Sequence, residues 1–272
     1  MILNNRPVAL ITGSTRGIGK AIALKLAANG YDIVVAGKTA EPHPTLPGTL
    51  SQTCLEVEAL GAKALAVQVD VRSEEQIIAM MAAIKSSYGR LDCLVNNASA
   101  IDLSSTAKMT LKKYDLMHQI NVRGSFLCAQ HGFELLKQSS CAHVLHLSPP
   151  IDLNPKWFKN HLAYTMSKYG MSMIVLGLSA EWKSANIAVN ALWPKTIIAT
   201  AAIEFNMPVQ FLQQARKPDI VADAAIEILK RDPKGCTGNF FIDEDFLRTL
   251  GHTDFQAYAI DPTQPLMPDL YI

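Results

Sequence analysis

The chain has 272 residues, 49% of them hydrophobic and 18% charged, which is typical of a globular protein with a sizeable core. Its 25 basic and 24 acidic residues give no nucleic-acid or acidic-surface signature, and its five scattered cysteines form no Cys-x-x-Cys pair, so neither a disulfide framework nor a zinc site is expected. We see no secretory signal and no apolar run long enough to span a membrane, and we expect a cytoplasmic protein.

The first predicted element is an apolar strand over Pro7–Thr12, followed by a glycine-rich turn and a helix over Gly17–Asn29. The turn has the spacing Gly-x-x-x-Gly-x-Gly. Glycines allow a sharp turn and close approach of a ligand, and the N-terminus of the following helix attracts phosphate. This pattern favours a nucleotide site, although a simple strand–helix connection is the alternative.

Strands and helices alternate along the rest of the chain. Further strands are predicted at Asp32–Gly37, Lys63–Gln68, Leu91–Asn96, His143–Ser148, Ala188–Trp193 and Asn239–Ile242. Further helices are predicted at Leu50–Leu60, Ser73–Tyr88, Leu111–Lys137, Ala163–Lys183 and Pro218–Lys230. The alternation predicts a doubly wound α/β fold in a single domain over 1–272, with ligands bound beyond the carboxyl ends of the strands.

Two stretches interrupt this pattern. Glu41–Gly48 contains three prolines and a glycine and is predicted to be an irregular loop. An extension over about 246–272 is rich in aromatic residues and proline. Its final part, from Thr253 onward, is too apolar for a solvated tail, so we expect it to pack on its own body or on a neighbouring subunit.

A candidate catalytic pair lies in the helix predicted over Ala163–Lys183. Tyr164 and Lys168 are four residues apart and therefore share a helix face. A cation near a phenol favours the phenolate and lowers its pKa toward the working range of a general acid or base. The pair alone is common by chance, and the glycine turn upstream strengthens the catalytic interpretation.

Four motifs occur in the order that is typical of one enzyme family: Thr12-Gly-Ser-Thr-Arg-Gly-Ile-Gly19, Asn96-Asn-Ala98, Asn121 and Tyr164-x-x-x-Lys168. Roughly the first 200 residues resemble the short-chain dehydrogenase/reductase family. The resemblance implies a Rossmann-type, seven-stranded, mostly parallel sheet. It also implies hydride transfer between a nicotinamide cofactor and a carbonyl or secondary alcohol, and a homodimer or homotetramer.

The resemblance assigns roles to the motif residues. Tyr164 would be the acid/base, Lys168 would hold the nicotinamide ribose, and Asn121 would anchor a water leading to Lys168. Thirteen further positions would bind the cofactor: Gly13, Ser14, Thr15, Arg16, Gly17, Ile18, Gly19, Asp70, Val71, Asn97, Ala98, Pro194 and Ile197. Asp70 would bind the adenine, or could instead cap the helix that starts near Ser73.

Charge predicts which nicotinamide cofactor is used. NAD-binding dinucleotide folds usually place a carboxylate after the second strand, where this chain has Lys38. Lys38 and Arg16 suit a ribose 2′-phosphate, so we predict NADP(H); the alternative is that both cations are merely solvated.

The sequence departs from the family pattern in three places. The catalytic serine position is occupied by Pro149, so either a bend brings Ser148 to the substrate or the site lacks this hydroxyl. Lys195 replaces a glycine after the sixth strand, pointing either over the phosphates or into solvent. Asp243-Glu-Asp245 replaces a glycine pair after the seventh strand.

The substrate is predicted from residue type alone. Trp157, Phe158, His161 and Met207 are expected to border a hydrophobic carbonyl or alcohol substrate, and each could equally be a core or interface residue. A nucleotide-binding sensor or scaffold with little turnover is the second hypothesis, because the catalytic serine is missing.

Overall fold

The computed structural model describes residues 6–42, 47–201, 203, 208 and 210–272. Seven strands form one sheet in the order β3-β2-β1-β4-β5-β6-β7, and every neighbouring pair is parallel. The strands are β1 Val8–Thr12, β2 Asp32–Gly37, β3 Ala64–Gln68, β4 Cys93–Asn96, β5 Ala142–His146, β6 Ile187–Trp193 and β7 Phe240–Ile242. This confirms the predicted Rossmann-type fold.

The helices separate into layers that cover the two faces of the sheet. They are α1 Gly17–Ala28, α2 Leu50–Ala59, α3 Glu74–Tyr88, α4 Leu111–Met117, α5 Ser125–Leu136, α6 Leu162–Glu181, α7 Gln210–Gln213, α8 Asp219–Leu229 and α9 Asp243–Thr249. Helices α1, α2 and α8 share one hydrophobic core cluster, and α3, α5 and α6 share the other. Because alternate residues of β1 enter the two clusters, this strand is apolar along its length.

The predicted helix over Leu111–Lys137 is continuous but not uniform. A π-helical segment, His118–Gly124, joins α4 to α5 and contains Asn121. π-Helical turns are frequent at functional sites. A Cβ added at Gly124 would lie 3.0 Å from the backbone oxygen of Val71, so a glycine lets this helix approach the chain after β3 closely.

The C-terminal segment, residues 253–272, packs on its own body. Thr196 and Pro268 form an antiparallel bridge, and the Ile197 amide donates to the Met267 carbonyl oxygen over 3.0 Å. The segment thereby lies against the chain that follows β6. Within the described ranges, no helix has the length and apolarity needed to cross a membrane.

Candidate active site

The glycine turn lies where the strand order reverses, between β1 and β4, which is where ligands bind in such sheets. Gly13 and Gly17 have φ values of +69° and +55°, a region that favours glycine. No side chain caps the N-terminus of α1, so its first N–H groups remain available for an anion. This part of the structure fits a pyrophosphate.

Hydrogen bonds tie the turn to the end of β4. Thr12 Oγ1 accepts hydrogen bonds from the backbone N–H groups of Asn97, at 3.1 Å, and Ala98, at 3.0 Å. The side-chain amide of Asn97 donates to the carbonyl oxygens of Thr12, at 2.8 Å, and Gly13, at 3.2 Å. A Cβ at Gly19 would overlap with the Asn97 side chain and the Gly13 carbonyl group. Gly19 therefore serves the close packing of the turn.

A cavity of about 490 Å³, the edge cavity, lies at the carboxyl edge of the sheet. Most of the residues predicted to bind a cofactor line it together. They are Gly13, Thr15, Arg16, Gly17, Ile18, Lys38, Asp70, Val71, Asn97, Ala98, Tyr164, Lys168, Pro194 and Ile197.

Four predicted site residues do not line the edge cavity: Ser14, Gly19, Asn121 and Ser148. Ser14 is fully buried and pins the turn to β2. Its hydroxyl accepts from the Ala36 amide at 3.1 Å, and its own amide donates to the Ala36 carbonyl oxygen at 3.2 Å. Ser14 supports the turn from behind.

Helix α6 places Tyr164 and Lys168 on the same wall of the edge cavity. Lys168 Nζ donates to the Leu147 carbonyl oxygen at 2.9 Å and lies 5.2 Å from the centre of the Trp193 ring. Burial lowers the pKa of Lys168 to about 7. The pKa of Tyr164 is raised well above its usual value, first by burial and then by Tyr271 and Asp269. The sequence predicted that the nearby cation lowers the pKa of Tyr164. In the structure, desolvation of the phenolate outweighs the cation, so the pKa is raised instead.

Asn121 positions other elements. Its side-chain amide donates to the Ala100 carbonyl oxygen and to Ser167 Oγ, both at 2.9 Å, and its oxygen accepts from the Ala100 amide at 2.8 Å. These bonds tie the π-helical segment to the loop after β4 and to α6, one residue before Lys168. The side chain is thus engaged by the protein itself.

The end of β5 determines where Ser148 lies. The strand stops at His146, two residues earlier than predicted, and Leu147 faces the edge cavity. The Ser148 hydroxyl is buried and, among the residues that the structure describes, has no hydrogen-bond partner. Pro149 lies in the next position, and its carbonyl oxygen accepts from Ser172 at 2.7 Å. Of the two alternatives, this placement favours a site without the serine hydroxyl.

The predicted adenosine end contains a charge cluster. Asp70 pairs with Lys38 at 3.0 Å and with two nitrogens of Arg72, which holds the pKa of this carboxyl well below its usual range. Ser73, not Asp70, caps α3, by accepting from the Gln76 amide. The Arg16 guanidinium donates to Thr39 Oγ1 at 2.6 Å and so lies at the end of β2.

The acidic run after β7 fixes the turn after β6. Asp243 Oδ1 accepts from the Lys195 amide at 2.9 Å, and the Lys195 ammonium group lies 2.6 Å from Asp245 and 3.5 Å from Glu244. Lys195 does not line the edge cavity. Its cation therefore does not point over the predicted phosphate site; carboxylates of α9 hold it, and its side chain stays 34% exposed to solvent.

The residues predicted to border the substrate lie elsewhere. Trp157, Phe158 and His161 do not line the edge cavity; they pack with Tyr169 and Tyr271. Met207 lies outside the described residues. The sequence reasoning missed the residues of the C-terminal segment that line the cavity instead: Met267, Pro268, Asp269 and Leu270. The apolar composition of that segment was the available signal.

Comparison with known proteins identifies the family. Residues 7–207 match the family model described as short chain dehydrogenase, and the chain belongs to the short-chain dehydrogenase/reductase family of oxidoreductases, whose fold binds a nicotinamide cofactor. Among its relatives is hydroxysteroid dehydrogenase-like protein 2 of Xenopus laevis, 55% identical over 262 residues. That match covers 96% of this chain and 62% of the relative, so the chain spans less than two thirds of the relative's length.

Two crystal structures are similar over nearly the whole chain. A Xanthomonas campestris protein is 44% identical with a TM-score of 0.94, and the match covers 98% of this chain and 97% of the other. A short chain dehydrogenase from Mycobacterium thermoresistibile is 40% identical with a TM-score of 0.92, covering 98% and 95%. At least most of the C-terminal segment is therefore included in a fold shared with these proteins.

Proposed function

We propose that this chain is an NADP(H)-dependent oxidoreductase that interconverts a carbonyl group and a secondary alcohol on a hydrophobic substrate. The observation that carries the proposal is that Tyr164 and Lys168 line the same cavity as the glycine turn. When bound, the nicotinamide supplies or accepts the hydride at the carbonyl carbon.

The residues of this chain would divide the remaining work. Tyr164 donates its phenolic proton to the substrate oxygen during reduction and takes a proton back during oxidation. Lys168 holds the ribose hydroxyls, and its charge favours the phenolate that reduction leaves behind. Asn121 holds the π-helical segment against α6. The Ser148 hydroxyl is not at the edge cavity and is not included in this machinery.

The preference for NADP(H) rests on two cations at the end of β2. Lys38 and Arg16 both line the edge cavity, and no carboxylate lies within it on the described residues that directly follow β2. Asp70 compensates part of the Lys38 charge, but Arg72 also satisfies the Asp70 carboxylate. A 2′-phosphate would then accept further hydrogen bonds from the Lys38 ammonium group and the Arg16 guanidinium.

The substrate end of the cavity supports a hydrophobic substrate. Ile101, Leu103, Trp193, Met267 and Leu270 line the same cavity as Tyr164. Such a wall suits a carbonyl compound with an apolar body.

An oligomer is supported by apolar side chains on the outer faces of α4–α6. Exposed examples are Leu111, Phe126, Met166, Met173 and Leu176. A homodimer or homotetramer would cover them. Light scattering of the wild type and Met173→Glu tests this: a wild-type monomer would contradict it, and dissociation by the substitution would support it.

The test of the function is hydride transfer. The protein is incubated with stereospecifically deuterated NADPH and a panel of ketones and aldehydes, and the products are examined for deuterium. We expect one transferred deuterium per product and a loss of roughly 1,000-fold in kcat for Tyr164→Phe. Tyr169→Phe is the matched control, because Tyr169 lies on the same helix and bonds to the Asp152 carbonyl oxygen outside the edge cavity.

The second hypothesis, a nucleotide-binding sensor or scaffold, is favoured by the missing serine hydroxyl. It predicts tight NADPH binding with no deuterium transfer to any member of the panel and no effect of Tyr164→Phe. That combination of results would replace the enzyme proposal.

A further inference from the structure

The C-terminal segment builds one wall of the edge cavity. Four consecutive residues, Met267–Leu270, line the cavity that Tyr164 and Lys168 also line. Only one of the four, Asp269, has a side chain that can ionise. An acidic side chain in the cavity of the candidate acid/base is a feature that the family motifs did not predict.

The segment is anchored on both sides of Asp269. The Asp269 amide donates to the Lys195 carbonyl oxygen at 3.1 Å, and the Leu270 carbonyl oxygen accepts from Trp193 Nε1 at 2.8 Å. Tyr271 is almost fully buried and its hydroxyl lies 3.1 Å from Thr165 Oγ1, next to Tyr164. The position of Asp269 is therefore set by β6, the turn after it and α6.

The backbone of Tyr271 indicates that this arrangement is constrained. Its φ is +72°, which is rare for a bulky residue. Its ring packs against Trp157, Tyr169 and Trp193 at centroid distances of 5.4 to 5.8 Å. Such conformations persist where the surroundings hold them, and they cluster at active sites and ligand clamps.

The Asp269 carboxyl group is placed without a salt bridge. One oxygen accepts from the Leu270 amide at 2.7 Å. In the part of the chain that the structure describes, no cationic side chain makes an ion pair with it. The Asp269 side chain is half-buried, and a partly desolvated carboxyl without a paired cation has its neutral form favoured.

The charged groups around Asp269 come from three elements. Burial and, to a smaller extent, the Asp243 carboxyl at the start of α9 raise the pKa of Asp269, whereas the Leu270 amide and the Lys168 ammonium group on α6 lower it; the net pKa is about 7. Tyr164 and Tyr271 are the phenols on this side, and the Lys195 ammonium group is held by Asp245. The raised pKa favours the neutral form of Asp269 over that of an exposed aspartate, and a protonated carboxyl is a hydrogen-bond donor.

We propose that Asp269, as a neutral carboxylic acid, is the second group beside Tyr164 that donates a hydrogen bond to the substrate carbonyl oxygen, in place of the hydroxyl that Pro149 lacks. The inference rests on the proposed oxidoreductase function. A carbonyl oxygen has two lone pairs and can accept from both groups. Asp269 keeps its proton throughout; the proton that ends on the alcohol oxygen comes from Tyr164.

Two substitutions separate this role from a structural one. Asp269→Asn keeps a donor of similar shape that cannot ionise, and Asp269→Leu removes the donor. With any carbonyl that the wild type reduces, we expect Asp269→Asn to retain kcat within about threefold and Asp269→Leu to lose roughly 100-fold in kcat, with the KM for NADPH unchanged. Asp261→Asn, in the same segment, is the control and should behave as the wild type.

The pH profile adds a readout that packing alone would not move. Because Lys168 titrates near the same pH in both proteins, the ratio of the wild-type reduction rate to that of Asp269→Asn should fall as pH rises through the pKa of Asp269, about 7. Equal losses in the Asn and Leu variants would show that a neutral donor at this position does not sustain the reaction and would overturn the proposal. An unchanged kcat in Asp269→Leu would overturn it as well.

Infrared spectroscopy of the NADPH-bound protein decides the protonation state even if no carbonyl in the panel is reduced. At about pH 6, one unit below the pKa, the wild type and Asp261→Asn should show a protonated-carboxyl band that Asp269→Asn lacks. A spectrum unaltered by Asp269→Asn would overturn the inference. If the wild type reduces no carbonyl in the panel, the proposed function is contradicted, and the infrared result on the protonation of Asp269 remains valid.

Discussion

The Lys168 ammonium group donates a hydrogen bond to the Leu147 carbonyl oxygen over 2.9 Å, which joins the centre of α6 to the chain just beyond β5. The lysine is buried and, among the described residues, makes no ion pair. A buried cation that is held by a carbonyl oxygen and a tryptophan ring remains costly to charge, and the pKa of Lys168 falls to about 7.

This lowered pKa predicts a pH-dependent stability difference. Between pH 7 and the ordinary lysine pKa of 10.5, the unfolded chain binds more protons at Lys168 than the folded chain, so the contribution of Lys168 to the free energy of unfolding rises with pH. Lys168→Met should therefore be more stable than the wild type at pH 7, by on the order of 2 kcal/mol, and the difference should shrink as the pH approaches 10. Urea unfolding of both proteins across this range measures it.

The exposed Lys183→Met is the control for general charge effects, and its difference from the wild type should stay near zero. A Lys168→Met difference that is constant with pH would contradict the prediction.

The second prediction concerns the packing of the glycine turn. Gly19→Ala places a methyl group against the Asn97 side chain and the Gly13 carbonyl group, so one of these must shift. We expect a loss of about 1–3 kcal/mol in the free energy of unfolding and weaker NADPH binding by roughly tenfold. Gly235→Ala is the matched control, because an added Cβ there meets open space and φ is not in the left-handed region.

Fluorescence titration with NADPH and thermal unfolding provide the two measurements. If Gly19→Ala and Gly235→Ala behave alike, the close approach between the turn and Asn97 contributes neither to the free energy of unfolding nor to NADPH affinity.

The sequence predicted the fold well because its pattern is local and periodic. The strands and most helices were found to within two residues, since apolar runs and amphipathic segments alternate clearly. Helix α9 was missed, because Asp243-Glu-Asp245 was read as a departure from a glycine pair and not as an acidic first turn of a helix. The π-helical segment was also missed, because it continues the helical periodicity on either side.

The third prediction concerns cofactor selection at the end of β2. Lys38→Ala and Arg16→Ala should each weaken NADPH binding by roughly tenfold and leave NADH binding nearly unchanged, because only NADPH carries the 2′-phosphate. Asp70→Asn should strengthen NADPH binding relative to NADH, since it removes the carboxylate that pairs with Lys38 at 3.0 Å.

Lys20→Ala is the matched control, because Lys20 lies on α1, pairs with Glu56 and does not line the edge cavity. Equal affinities of the wild type for NADPH and NADH, measured by calorimetry, would exclude the NADP(H) preference.

The site could be predicted where a short sequence motif determines both the type of a residue and its place in the structure. Tyr164 and Lys168 share a face by helix geometry alone, and the glycine turn requires only local backbone freedom. The position of Ser148 depends on where β5 ends, and Asp269 reaches the cavity only because residues far apart in the chain bind the segment that carries it. Long-range contacts of this kind leave no periodic signal in one sequence.

The last prediction concerns the anchor of the C-terminal segment. The Tyr271 ring contacts four aromatic rings, those of Trp157, His161, Tyr169 and Trp193, and its hydroxyl lies 3.1 Å from Thr165 Oγ1. Tyr271→Ala should lose about 3–5 kcal/mol of local stability, because a large aromatic side chain leaves a buried site. Tyr271→Phe keeps the ring and should lose only about 1 kcal/mol.

Limited proteolysis followed by mass spectrometry measures the effect directly. In Tyr271→Ala, cleavage should move into the C-terminal segment while the fragment that carries the glycine turn stays intact, since that turn is held by Asn97 and Thr12 instead. NADPH binding should therefore fall less than carbonyl reduction does. Resistance equal to that of the wild type would mean that the hydrogen bonds of Trp193 and Ile197 hold the segment without the ring.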